Sequence, residues 1–235
     1  MVDLEGNASH VPADGAATDF GPLRQWIEGR WAEARSDPKV EGRVEFWTGA
    51  VQQLEAATIG MLIALKELNE ERDGLTGILN RRGLEAGLRS CLMWADRMGE
   101  PVTLVFMDVD HFKLFNDKFG HAAGDEVLRA WAQFLASNIR PTDVVGRYGG
   151  EEIVAVLRNC TEEQGHEIFD RVRGRMSAAL SGCLTTFGIV EPVTMSVGVA
   201  QYQPPESELD LIKRSDARLY RAKESGRNLV FGGSD

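Results

Sequence analysis

Cysteine is scarce in this chain. Only Cys91, Cys160 and Cys183 occur, an odd and scattered set with no metal-ligand spacing. Neither a disulfide framework nor a zinc site is encoded, and reduced, mostly packed thiols of a cytoplasmic protein are expected. Long apolar runs are missing too. No stretch reaches 18 apolar residues, so no transmembrane helix is predicted. The first residues lack a basic segment followed by an apolar one, so a secretion signal is not expected. Positive charge is in deficit: 26 Lys and Arg stand against 36 Asp and Glu, a net charge of −10. That balance argues against a general nucleic-acid binder, which presents a basic face. It also repels anionic ligands at long range, so a nucleotide site must gather its cations locally.

What is present suits a core-forming domain with an appendage, since 43% of the 235 residues are apolar. Residues 1–19 are rich in Gly, Ala, Asp and Asn with little periodicity and read as a mobile tail. From Phe20 to Arg35, Leu23, Trp26, Ile27, Trp31 and Ala34 recur at helical spacing, and Ser36-Asp37-Pro38 breaks the helix. A longer helix is predicted over Val40–Arg72. Its Val44, Trp47, Val51, Leu54, Thr58, Met61, Leu65 and Leu68 fall on alternating heptad positions. That seam fits a parallel coiled coil, packing against the first helix, or both. At ~1.5 Å per residue the helix would span about 50 Å, a suitable signalling stalk. No Cys/His cluster, haem ligand pair or phosphoacceptor pocket marks an input. The organisation read from the sequence is therefore a tail (1–19), a helical regulatory and dimerisation region (20–72) and a larger domain (73–235).

In that larger domain helices alternate with strands. Asn80 can cap a helix over Arg81–Met98, and Val102–Met107 reads as a buried strand with Asp108 where it leaves the sheet. An irregular turn through Asn116-Asp117 and a helix from about Ala123 follow. Gly149-Gly150 supplies a hairpin that presents Glu151 and Glu152 at the head of the strand Ile153–Leu157. Thr161-Glu162-Glu163-Gln164 opens a helix to about Leu180, a strand covers Thr194–Ala200, and Ser207 opens the last helix. A tight hairpin among crossovers makes the sheet mixed, with helices around it, and the fold class α+β or α/β behind an all-α stalk. Three carboxylates at two strand ends are the makings of a Mg²⁺ site that holds phosphates.

DGLTGILNRR (Asp73–Arg82), MDVDHFKLFND (Met107–Asp117), FGHAAGD (Phe119–Asp125), RYGGEEI (Arg147–Ile153), MSVGVA (Met195–Ala200) and KESGRN (Lys223–Asn228) occur in one order over Asp73–Phe231. Together they resemble the GGDEF domains of bacterial diguanylate cyclases. The resemblance implies a five-stranded sheet similar to nucleotide-cyclase and polymerase palms. It implies condensation of two GTP into cyclic di-GMP with release of pyrophosphate, by a homodimer joined through the N-terminal helices. It implies that Asp108, Glu151 and the carbonyl of Val109 hold Mg²⁺ (or Mn²⁺), with Glu151 as the candidate base. Glu152 becomes either a neighbour of that metal or an exposed hairpin acid, and Asp110 a turn-orienting residue. Asn116 and Asp125 match the guanine readers, although Asp125 could equally cap a helix. Lys113, Lys223 and Arg227 match the phosphate contacts, where the last two also suit a helix C-terminus, and Gly149 and Gly150 let the backbone approach phosphate. Arg140 and Asp143, with Arg171, match the inhibitory product site. Ile153 departs from the family's usual Phe but should face the core. It is the one sequence feature favouring a rival, a non-catalytic GTP or cyclic di-GMP receptor. A cyclase with another nucleotide product and a coiled-coil adaptor are further alternatives. His111 and His121 match no ligand position and read as structural.

Overall fold

All eight residues of β1 (Val102–Val109) are buried, because this strand lies at the centre of a sheet covered on both faces. A computed structural model of the chain describes residues 70–232, together with residue 25 and the stretches 53–54 and 56–61. The chain divides into two compact units, residues 1–68 and 69–235. In the first, the described residues are helical, and Leu54 and Met61 of the heptad seam are 62% and 66% exposed. Thr58, also on the seam, donates from Oγ1 to the Leu54 carbonyl at 2.7 Å, whereas the tail over 1–19, the helix over 20–35 apart from Gln25, and the seam positions Val44, Trp47, Val51, Leu65 and Leu68 lie outside the described residues.

The second unit runs α1 (Arg81–Met98), β1, α2 (Phe112–Phe119), α3 (His121–Asn138), β2 (Val144–Gly149), β3 (Glu152–Arg158), α4 (Glu162–Thr185), β4 (Met195–Gln201), α5 (Glu208–Glu224) and β5 (Val230–Phe231). The five strands lie in the order β2-β3-β1-β4-β5. β1 is antiparallel to β3 and β4, β2 is antiparallel to β3, and β5 alone runs parallel to its neighbour.

Strand alternation sorts the core into two layers. Val105, Met107, Ile153, Ala155, Val197 and Val199 pack with α3 and α4 residues such as Val127, Trp131, Phe169 and Met176. Leu104, Phe106, Val154, Val156 and Ala200 face the other way, onto Leu84, Leu88 and Leu92 of α1 and Leu211 and Leu219 of α5. Ile153 is 1% exposed and opposite Met107, inside the first layer. The helix signals read from sequence are those used. Asn80 accepts from Gly83 N at 3.1 Å, Thr161 and Gln164 form a reciprocal capping box, and Ser207 accepts from Asp210 N at 3.2 Å.

Three elements differ from expectation. β1 runs two residues further than Met107, so Asp108 sits within the ladder, opposite Glu152 and Ser196, rather than beyond it. The segment around Asn116-Asp117 is not an irregular turn but helix α2, which buries Phe112 and donates from Gly120 N to Asn116 O at 2.8 Å. α4 continues past Leu180 to Thr185, burying Leu184.

The approach of α5 to β4 requires a bare backbone at Gly198. A Cβ there would lie 2.1 Å from Ser215 O and 2.4 Å from Leu219 N, both main-chain atoms that cannot swing aside. Gly198→Ala should therefore lower unfolding stability by roughly 3 kcal/mol, read as a shift in urea midpoint against the unchanged chain. An unaltered midpoint would show that the helix can lift without cost.

Candidate active site

Asp108 lies 5% exposed on the α1/α5 side of the sheet. A carboxylate so placed needs a cation, and Lys223 from the last turn of α5 supplies it, Nζ standing 2.8 Å from Oδ2. Burial raises the Asp108 carboxyl to about 6, against the hydrogen bond and charge of Lys223, and the nearby Glu151 and Glu152 raise it further. Glu152 is likewise raised, first by burial and then by Asp216 and Glu151, while Lys223 and Arg81 oppose the shift. The geometry explains this crowding. Glu152 opens β3 directly opposite Asp108, while Glu151 sits in the turn before it.

A cavity of about 260 Å³ at this rim is lined by Asp108, Val109, Lys113, Glu151, Lys223 and Arg227, together with Asp110 and His111. Lys113 comes from α2, Lys223 from α5, and Arg227 from the reversal after α5, where Gly226, Arg227 and Asn228 all take positive φ. One cavity thus collects three acids and three cations from separate parts of the chain. Among the described residues no three His, Cys, Asp or Glu side chains already converge as a metal cage. The donor chemistry nevertheless fits a hard divalent ion: a buried carboxylate, Asp108, with the half-buried Glu151 and Glu152 beside it and the ammonium of Lys223 as the neutralising charge.

Asp110, only two residues from Asp108, has a different environment. It accepts from Ser196 Oγ at 2.6 Å, Thr194 Oγ1 at 2.7 Å and Asn228 N at 3.0 Å. Its oxygens therefore hold the segment that carries Arg227.

The glycine turn is held by a residue whose role had no sequence signal. Arg147 donates through Nε and Nη2 to the carbonyl of Gly150, at 2.9 and 2.7 Å, and through Nη1 to both oxygens of Asp73 at 3.1 Å. Burial would raise the Asp73 carboxyl, but hydrogen bonds from Thr76 and the Arg147 guanidinium outweigh it and hold it below the usual range. Gly150 has φ 41°, and the β2–β3 register shifts between Arg147 and Gly149, so the turn is irregular rather than a plain hairpin. Arg81 stacks 4.3 Å above the Tyr148 ring and donates to its hydroxyl at 3.1 Å, closing the other side.

The family model described as "Diguanylate cyclase, GGDEF domain" matches residues 70–229. The chain belongs to this family. It is 40% identical over 164 residues to the response regulator PleD of Caulobacter vibrioides, covering 68% of this chain and 35% of that protein. It is 33% identical over 211 residues to the diguanylate cyclase DgcP of Pseudomonas aeruginosa, covering 88% of this chain and 31% of that protein. The chain thus spans about a third of the length of these curated relatives. Among solved structures, the coiled coil and GGDEF domain of DgcB from Caulobacter crescentus, in complex with c-di-GMP, aligns with a TM-score of 0.66 at 27% identity, over 82% of this chain and 98% of that one.

Within this GGDEF domain the two expected base readers stand outside the charged cavity, between α2 and α3. Asn116 packs against Gly124, where a Cβ would fall 1.8 Å from its Oδ1. That oxygen is buried with no hydrogen-bond partner among the described residues. Asp125 is half-buried inside α3, which begins at His121 after Gly120, so it does not cap the helix. Gly149 and Gly150 form the turn but do not line the cavity. Arg140, Asp143 and Arg171 are brought together elsewhere, on a second cavity of about 350 Å³.

The raised Asp108 carboxyl binds its proton more tightly in the folded chain than in the unfolded one. Its stabilisation is complete below about pH 4 and is lost as pH rises through about 6. Asp108→Asn has no such proton. Without divalent ions its stability relative to the unchanged chain should climb by roughly 2–3 kcal/mol between pH 4 and 7 and then level off. Urea unfolding at several pH values measures this, and a pH-independent difference would contradict it.

Proposed function

We propose that this chain condenses two GTP into cyclic di-GMP, releasing pyrophosphate, with one GTP on each of two facing GGDEF domains. The observation that carries the reading is the single cavity in which Asp108 and Glu151 face Lys113, Lys223 and Arg227 in a chain whose net charge is −10. Local cations gathered against that field suit a triphosphate. Asp108, Glu151 and the Val109 carbonyl would hold Mg²⁺ or Mn²⁺, which would neutralise phosphate charge at the reacting centre. Lys113, Lys223 and Arg227 bind the phosphates and orient the α-phosphorus for in-line attack. Glu151 takes the proton of the attacking 3′-hydroxyl, and Glu152 sustains the negative field beside it. Asn116 and Asp125 read guanine. An unpaired buried amide oxygen costs about 1–3 kcal/mol, which a base N–H relieves.

The helical region over 20–72 is read as the dimerising arm that brings two domains face to face, and exposure of Leu54 and Met61 in the single chain supports it. Arg140, Asp143 and Arg171 are read as a product-binding site that restrains the enzyme.

Glu151→Gln should lower the rate of cyclic di-GMP and pyrophosphate formation from GTP and Mg²⁺ about 10²–10⁴-fold, with ATP in place of GTP giving no cyclic product. Absence of either product from the unchanged chain would leave only nucleotide binding. Removing residues 1–68 should make specific activity rise with protein concentration, since two half-sites must then meet by diffusion. Equal specific activity on dilution would overturn the role of the arm.

A further inference from the structure

The second cavity holds more than the three residues of the product-site reading. Asp143, the acid of that group, spends both oxygens on main chain. Oδ2 accepts from Arg140 N at 3.0 Å and Oδ1 from Arg158 N at 3.1 Å. It therefore clamps two arginines to each other across the α3–β2 connection and the end of β3. Arg158 lines the cavity beside Arg140 and Arg171. Among the described residues none of these three guanidiniums has a carboxylate within ion-pair distance. Three unpaired cations on one hollow suit a ligand with more than one phosphate.

The guanidinium carbon of Arg158 stands over the ring of Trp94 on α1, 5.2 Å from its centroid. Trp94 is itself fixed, its Nε1–H donating to Glu100 Oε2 at 3.1 Å, yet the residue stays 40% exposed. A guanidinium with one face on an indole keeps its other face and its N–H edge for a ligand. About 350 Å³ lies at the small end for a cavity that encloses a drug-sized molecule. Cyclic di-GMP, with two bases and two phosphates, would leave part of itself at the mouth.

We propose that Trp94 and Arg158 form a stacking shelf at the mouth of this cavity, which holds the second guanine of cyclic di-GMP against the open face of the Arg158 guanidinium. The shelf rests on the reading of Arg140, Asp143 and Arg171 as a product site. Trp94 acts through Arg158, as a positioning residue. Arg158 contributes a plane as well as a charge, which lysine cannot supply.

Calorimetric titration of the full chain with cyclic di-GMP tests this. Trp94→Ala and Arg158→Ala should each raise Kd about three- to ten-fold. Trp94→Phe should restore most of the affinity, because a ring remains. Arg158→Lys should behave like Arg158→Ala rather than like the unchanged chain, and this variant carries the test if Trp94→Ala folds poorly. Arg140→Ala, a control inside the cavity, should weaken binding by more than about ten-fold. If Arg140→Ala weakens binding while the Trp94 and Arg158 variants bind as the unchanged chain does, the shelf is wrong and the product site stands. If Arg158→Lys binds normally, charge alone suffices and the stacking role fails. If the unchanged chain binds no cyclic di-GMP, or Arg140→Ala binds it equally well, the product-site reading fails and the shelf goes with it.

Discussion

A carboxylate set inside a sheet stays charged only while a cation stands against it, and Asp108 meets that condition through Lys223. Much of the second unit can be understood as the means of bringing that ammonium there. α5 must lie close along β4, which the missing side chain at Gly198 permits. It must begin in register, which Ser207 secures, and finish beside the strand end, where Gly226 turns the chain back and returns Arg227 to the same cavity. The pair is poised rather than locked: burial, Glu151 and Glu152 all work against the charge that Lys223 favours.

Asp110 shows the opposite solution on the same strand exit. Two hydroxyls and a backbone N–H satisfy it, so it is consumed in structure. Two aspartates two positions apart thus have separate uses, decided by which donors the neighbouring strand offers. Thr194 and Ser196 reach Asp110, whereas Asp108 is left to a flexible ammonium. Neither use follows from the acids themselves.

How much was legible in the sequence follows the range of the interactions. Caps and strand alternation act over a few residues, so Asn80, Thr161, Ser207 and the two-faced β1 could be read directly. α2 could not. His111 enters it in a left-handed conformation without a side-chain cap, and Asn116-Asp117 carries turn chemistry, so the local signals pointed away from the helix that tertiary packing of Phe112 enforces. Lys113, Lys223 and Arg227 were legible only because known motifs place them, since nothing local says they share a cavity. Arg147 with Asp73, 74 residues apart, and Arg158 with Trp94 left no trace, because a lone arginine has no pattern to betray its partner.

The clasp at Arg147 has one more implication. Asp73 follows closely on the helical residue Glu70, and Asn80 Nδ2 ties back to the Glu70 carbonyl at 2.6 Å. A single planar group therefore spans from the entrance of the domain to the peptide just ahead of Glu151. Strain at that entrance would reach the turn that carries Glu151 through one side chain, without crossing the hydrophobic layers.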